Sequence, residues 1–95
     1  MKKVAVVIKD VNRQYEGLRL SLGTLQSDID IEMIVLNHEI ENMDEAFRDN
    51  MEFLQETGGQ LVSNHMANAE KYGFQHATLK EIAWRLETAD LIIPF

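Results

Sequence analysis

At 95 residues, with 45% hydrophobic side chains, one Pro and five Gly, the chain has the make-up of one small globular domain, residues 1–95, rather than of a disordered or fibrous segment. A formal net charge of −7 leaves no basic patch for a phosphate backbone, which argues against a nucleic-acid partner. With no Cys there is no disulfide, no thiolate nucleophile and no cysteine metal site.

The first element is "KVAVVI", residues 3–8, a β-branched run of the kind that forms a strand buried on both faces of a parallel sheet. Its apolar part, Val4 to Ile8, stops at Lys9 and Asp10. That falls short of the roughly 7–15 apolar residues of a secretory leader, and nothing approaches a membrane span. A cytoplasmic protein with no membrane association is expected. Asn12 is placed to cap a helix that starts near Arg13, with Tyr15, Leu18, Leu22 and Leu25 as its apolar stripe. Gly17 and Gly23 weaken that helix by about 1 kcal/mol each, so close packing on a neighbour is expected at both. "DIEMIVLN", residues 30–37, is the second strand.

The next helix is capped by Asn42 or Asp44, carries Met43, Phe47, Met51 and Leu54 as its core stripe, and ends at Gly58 and Gly59. "QLVSN", residues 60–64, is a short third strand leading into a short helix that ends at Gly73. "FQHA", residues 74–77, is a vestigial strand. Thr78 with Glu81 forms a capping box for a last helix whose Leu79, Ile82, Ala83 and Leu86 face inward. "DLIIPF", residues 90–95, is a terminal strand, with Pro94 near its end where a ladder donor is least missed. Strand and helix alternate, with connections too long for hairpins. The expected fold is α/β: a three-layer α/β/α domain around a mostly parallel sheet of four to five strands.

Ligands of such sheets gather at the carboxyl ends of the strands. Those ends hold Lys9, Asp10 and Asn12, then Asn37, His38 and Glu39, then Ser63, Asn64 and His65; His76 is expected to lie away from them. We take Asp10, Asn12, His38, Asn64 and His65 as the candidate ligand-binding crest. The helix after Asn64 starts there with free backbone N–H groups, which suits a small anion or a partner's carboxylate, with Asp10 and Glu39 opposing it. His38, His65 and Asp10 or Glu39 are also chemically competent metal ligands, but their spacing matches no metal motif. No GxSxG elbow surrounds Ser63, and no phosphate-loop or dinucleotide fingerprint follows the first strand. No catalytic residue, metal site or cofactor is assigned. His38 and His65 read either as general acid and base groups or as polar turn formers. The acidic run from Glu39 to Glu56, relieved by Arg48 alone, is a solvated helix face or a docking surface.

"KVAVVIKD…EGLRLSLGTL" followed by "IEMIVLNHEIE", and "GGQLVSN…EKYGF…TLKEIAWRLETADLIIPF" after it, resemble DsrE/DsrF-like proteins over nearly the whole chain. The resemblance implies a compact α/β/α domain that assembles into trimers, hexamers or larger complexes. It also implies a role in sulfur relay, in which a cysteine just after the third strand carries a persulfide. The matching positions here are Asn64 or His65, with Asn68 at that of a second family cysteine, and none can hold sulfane sulfur. The expected function is therefore that of a small oligomeric accessory protein of sulfur metabolism that binds a partner or small ligand without persulfide chemistry. The alternatives are a His-based enzyme or metal-binding protein, and a structural subunit among cysteine-bearing paralogues. A homo-oligomer is also expected from the residues themselves, since a chain this short buries only about 60–65% of its unfolded surface. Met33, Met43, Met51, Phe53 and Trp84 exceed what one thin layer needs, and Phe74 and Trp84 suit core or subunit contact rather than ligand stacking.

Overall fold

The computed structural model describes residues 2–25 and 28–95. Strands β1 (Lys2–Ile8), β2 (Ile29–Val35), β3 (Gln60–Ser63), β4 (Gln75–His76) and β5 (Leu91–Pro94) alternate with helices α1 (Gln14–Gly23), α2 (Glu45–Glu56), α3 (Met66–Tyr72) and α4 (Leu79–Glu87). Every pairing among the described residues is parallel, in the order β4-β3-β2-β1-β5. The fold is α/β, consistent with the expected α/β/α layering.

The strand order dictates where the helices go. From β1 to β2, β3 and β4 the chain steps across the sheet in one direction, and the passage to β5 reverses it. Right-handed crossovers then place α1, α2 and α3 on one face and α4 alone on the other. The buried side chains obey this. Leu18, Phe47, Met51, Leu54 and Tyr72 pack with Val4, Val6, Ile31, Met33 and Leu61. On the opposite face Ile82 and Leu86 pack with Ala5, Val7, Ile34 and Val62.

Several local expectations change. Asn12 is not the cap of α1: Asp10 caps a 3₁₀ turn, Val11–Arg13, by accepting from the Asn12 N–H at 2.9 Å, and α1 starts after Arg13 with no side-chain cap. The buried face of α1 is Gln14, Gly17, Leu18 and Ser21, while Tyr15 lies exposed beside Phe47. A Cβ at Gly17 would stand 2.5 Å from Ile8 Cδ1, so this glycine is needed for close approach; Gly23 meets nothing. Asp44 rather than Asn42 caps α2, and of the two glycines after it only Gly58 is left-handed. The capping box of α4 forms as expected. Leu79 and Ala83, however, are exposed, and only Ile82 of that stripe is buried. Met33 and Met51 belong to the core, so the large apolar side chains left exposed are Tyr15, Phe53, Met66, Leu79, Trp84, Leu91 and Ile92. Phe95 N donates to Val7 O at 2.7 Å and Phe95 O accepts from Lys9 N at 2.7 Å, so the nitrogen of Pro94 faces away from the ladder and no bond is lost there.

The α4 face also buries a charge. Glu32, beside Ala5 in the sheet, is 1% exposed. Arg85 of α4 donates to its Oε1 and reaches Gln60 at 3.4 Å, while Lys3 Nζ stands 3.7 Å from Oε2 and 3.2 Å from Thr88 Oγ1. Because one helix covers this face, the Glu32–Arg85 contact is a principal clamp on it. Arg85→Ala would leave a buried carboxylate without its main partner and is expected to lower stability by about 3–5 kcal/mol. Joint replacement by Leu at both positions should recover most of that loss, as read by urea unfolding of the two variants; equal losses would show that the clamp contributes through packing alone.

Candidate functional site

The crest is a set of interlocked hydrogen bonds between the loop after β2 and the turn after β3. Asn37 is left-handed, with φ 66, a conformation that Asn tolerates better than most residues. Its N–H donates to Asn64 Oδ1 at 2.8 Å, and Asn64 Nδ2 donates back to Asn37 Oδ1 at 2.9 Å. Ser63, fully buried, donates to Val35 O at 2.7 Å and accepts from His65 N and Asn68 Nδ2. Asn68, also fully buried, donates as well to His38 O at 2.9 Å and accepts from Ile40 N at 2.9 Å. On the far side of the loop the buried Gln14 amide donates to Glu41 O and accepts from Glu41 N.

The structure thus spends most of the crest's polar atoms internally. Asn64 pairs with Asn37 rather than capping α3, whose N-cap is His65 without a side-chain bond. Asp10 is engaged with Asn12 N, and the Asn12 side chain is exposed. Ser63 is turned inward, away from any substrate. His38 Nδ1 lies 2.9 Å from Leu36 O, an acceptor, so Nδ1 carries the proton and, in the neutral ring, Nε2 holds the lone pair. His38 Nε2 and His65 Nδ1 are buried with no partner among the described residues. α3 spans seven residues, a short dipole for the anion site expected at its start. His76 does not lie away from the crest: β4 ends with it opposite Ser63, so all three histidines line the carboxyl edge. Asn68 is the residue that the sequence reading left out of the site. Its signal is a buried amide on the inner side of a short helix, visible only once the loop it holds is in place.

Among the described residues, no group of three or more His, Cys, Asp or Glu side chains is placed to hold a metal ion, so the His38, His65 and acid set is not assembled as ligands. No helix among them is long and apolar enough to cross a membrane. A cavity displaced from the crest lies between α2 and α3, lined by Met51 and Leu61 and by Lys71 of α3. Lys71 Nζ bonds Glu39 Oε1 at 2.8 Å. No family model matches the chain, and no curated protein sequence matches it.

Two measurements test this geometry. Asn68→Leu would orphan the Ile40 N–H, the His38 carbonyl and one Ser63 bond together, and should cost about 2–4 kcal/mol in urea unfolding with accelerated amide exchange at Ile40. The Glu39 carboxyl is held below its ordinary value chiefly by the hydrogen bond from Lys71, and Lys71 is raised chiefly by the same bond. The Glu39 contribution is therefore complete above the unfolded carboxylate value and fades as pH falls through the lower folded one. That of Lys71 is complete below the unfolded ammonium value and is lost as pH rises through the higher folded one. Lys71→Ala should return the NMR titration of the Glu39 side chain upward to the ordinary range; an unchanged titration would mean that the contact does not persist in solution.

Proposed function

We propose that the chain is a small self-associating accessory subunit of the DsrE/DsrF-like type, serving sulfur metabolism by non-covalent binding rather than by carrying persulfide. The observation that carries the reading is the strip left open between α4 and β5. Arg85 reaches Glu32 on β2 and Gln60 on β3, so that flank of α4 faces the β3 side. Leu79, Ala83 and Leu86 lie roughly 100–160° around the helix, toward β1 and β5. There Ile92, aligned with Ala5 on the α4 face, is 45% exposed, and Leu79 is 56% exposed. Phe95 N donates to Val7 O and Phe95 O accepts from Lys9 N, so by alternation the backbone groups of Ile92 point outward from the sheet edge. The strand Leu91–Pro94 carries no charge, although exposed edges usually carry one to prevent pairing. A further copy of the same chain covers such a strip without bringing like charges into contact.

The locked turn supports the non-covalent part of the reading. Where the resemblance implies a reactive sulfur, the side chains of Asn64 and Asn68 hold the backbone in place instead, and His65 gives its N–H to Ser63 Oγ. Partner or ligand binding at surfaces away from that turn is then the activity open to the protein. Light scattering at micromolar concentration should give a multiple of 10.9 kDa, and Ile92→Asp or Leu79→Asp should reduce it to the single-chain mass with an unchanged circular dichroism spectrum. A wild-type mass of one chain would reject the proposal, as would a stable one-sulfur adduct after treatment with a sulfane-sulfur donor.

A further inference from the structure

We propose that the groove between α2 and α3 binds a small monocarboxylate with a compact apolar body. This does not depend on the self-association proposed above. The groove encloses about 190 Å³ and has Met43, Met51 and Leu61 on its apolar side. That is close to the ~150 Å³ cavity known to accept a benzene ring. Its polar side carries Arg48 and Lys71.

Arg48 is the observation that selects the ligand. It is the single cation in the acidic run of α2, with Glu45 three residues before it and Glu52 four residues after it. Helical spacing offers both as partners. Yet none of the ion pairs among the described residues includes Arg48, whose side chain lines the groove instead. Lys71 bonds Glu39 and so uses one of the three N–H donors of an ammonium group. Arg48 and Lys71 thus bring two cations to one apolar pocket on a chain of net charge −7. A guanidinium receives a carboxylate through two parallel hydrogen bonds, geometry that a chloride or a neutral amide does not match. Glu52 on the same wall limits the charge that can enter, disfavouring dianions such as phosphate or a dicarboxylate. Tyr72 completes the lining of the groove.

The test is an NMR titration of the full chain with benzoate, benzamide and phthalate. Benzoate should produce saturable shifts at residues 48–55, 61 and 71–72 with a Kd on the order of a millimolar, as suits a ligand of that size. Benzamide and phthalate should bind about tenfold more weakly or worse, and Arg48→Gln, an exposed substitution, should reduce benzoate affinity by about tenfold while leaving the rest of the spectrum in place. Equal affinity for benzamide, an Arg48→Gln variant that binds as wild type, or shifts centred on residues 63–68 would each overturn the proposal, as would the absence of saturable shifts.

Discussion

The handedness of the crossover connections sets most of what is distinctive about this molecule. With strand order β4-β3-β2-β1-β5, three connections must place their helices on one face and the last must place its helix on the other. Strands about 4.8 Å apart make a five-stranded face some 20 Å or more across, whereas one helix covers about 10 Å. The face beneath α1, α2 and α3 can therefore hold a large apolar core, from Leu18 through Phe47 to Phe74. Among the described residues, α4 leaves part of the face beneath it uncovered. Its buried cluster is small, from Ala5 to Ile82, and Ile92 and Leu79 remain open at its side.

That asymmetry explains where polar groups are buried and what they cost. On the α4 face, Glu32 enters the interior in the middle of β2, and the energy of desolvating it is offset only because Arg85 and Lys3 converge on it. The arrangement fixes the helix over β2 and β3, since a guanidinium has one geometry with a carboxylate where apolar packing has many. At the carboxyl edge the polar burial is neutral, with Ser63, Asn68 and Gln14 each bonded to backbone groups of the loop after β2. Loops rarely lie this deep without such partners, because each of their N–H and C=O groups must be satisfied. The crest is consequently stiff, and its two buried, unpartnered imidazole nitrogens, His38 Nε2 and His65 Nδ1, are the polar groups there that the lock does not use.

Local signals in the sequence were legible, and long-range ones were not. "KVAVVI" reads as a strand buried on both faces, and Thr78 with Glu81 reads as a capping box, because neighbours along the chain decide both. Asp10 displaced Asn12 as the cap since both side chains can serve and a 3₁₀ turn intervened. The Asn37–Asn64 exchange joins residues 27 apart, and the Glu32–Arg85 contact joins residues 53 apart. Neither leaves a mark in composition or periodicity. His76 was misplaced because β4 is two residues long, too short to show a period, yet its pairing with β3 sets the position. Leu79 and Ala83 share the helical spacing of Ile82 yet are exposed, because periodicity marks a stripe on a helix without fixing how wide a part of it the sheet covers.

Lys71 joins the two regions that the topology separates. Its ammonium bonds Glu39 in the loop after β2, and the same side chain lines the groove between α2 and α3. A carboxylate bound in the groove as proposed would share Lys71 with the Glu39 carboxylate. The effect is bounded, because Glu39 and Lys71 are both open to water, where an ion pair is weak and screened by salt. The backbone of the loop is held independently by Asn68 and Gln14. Release of Lys71 would accordingly alter charge at the crest while leaving its fold intact.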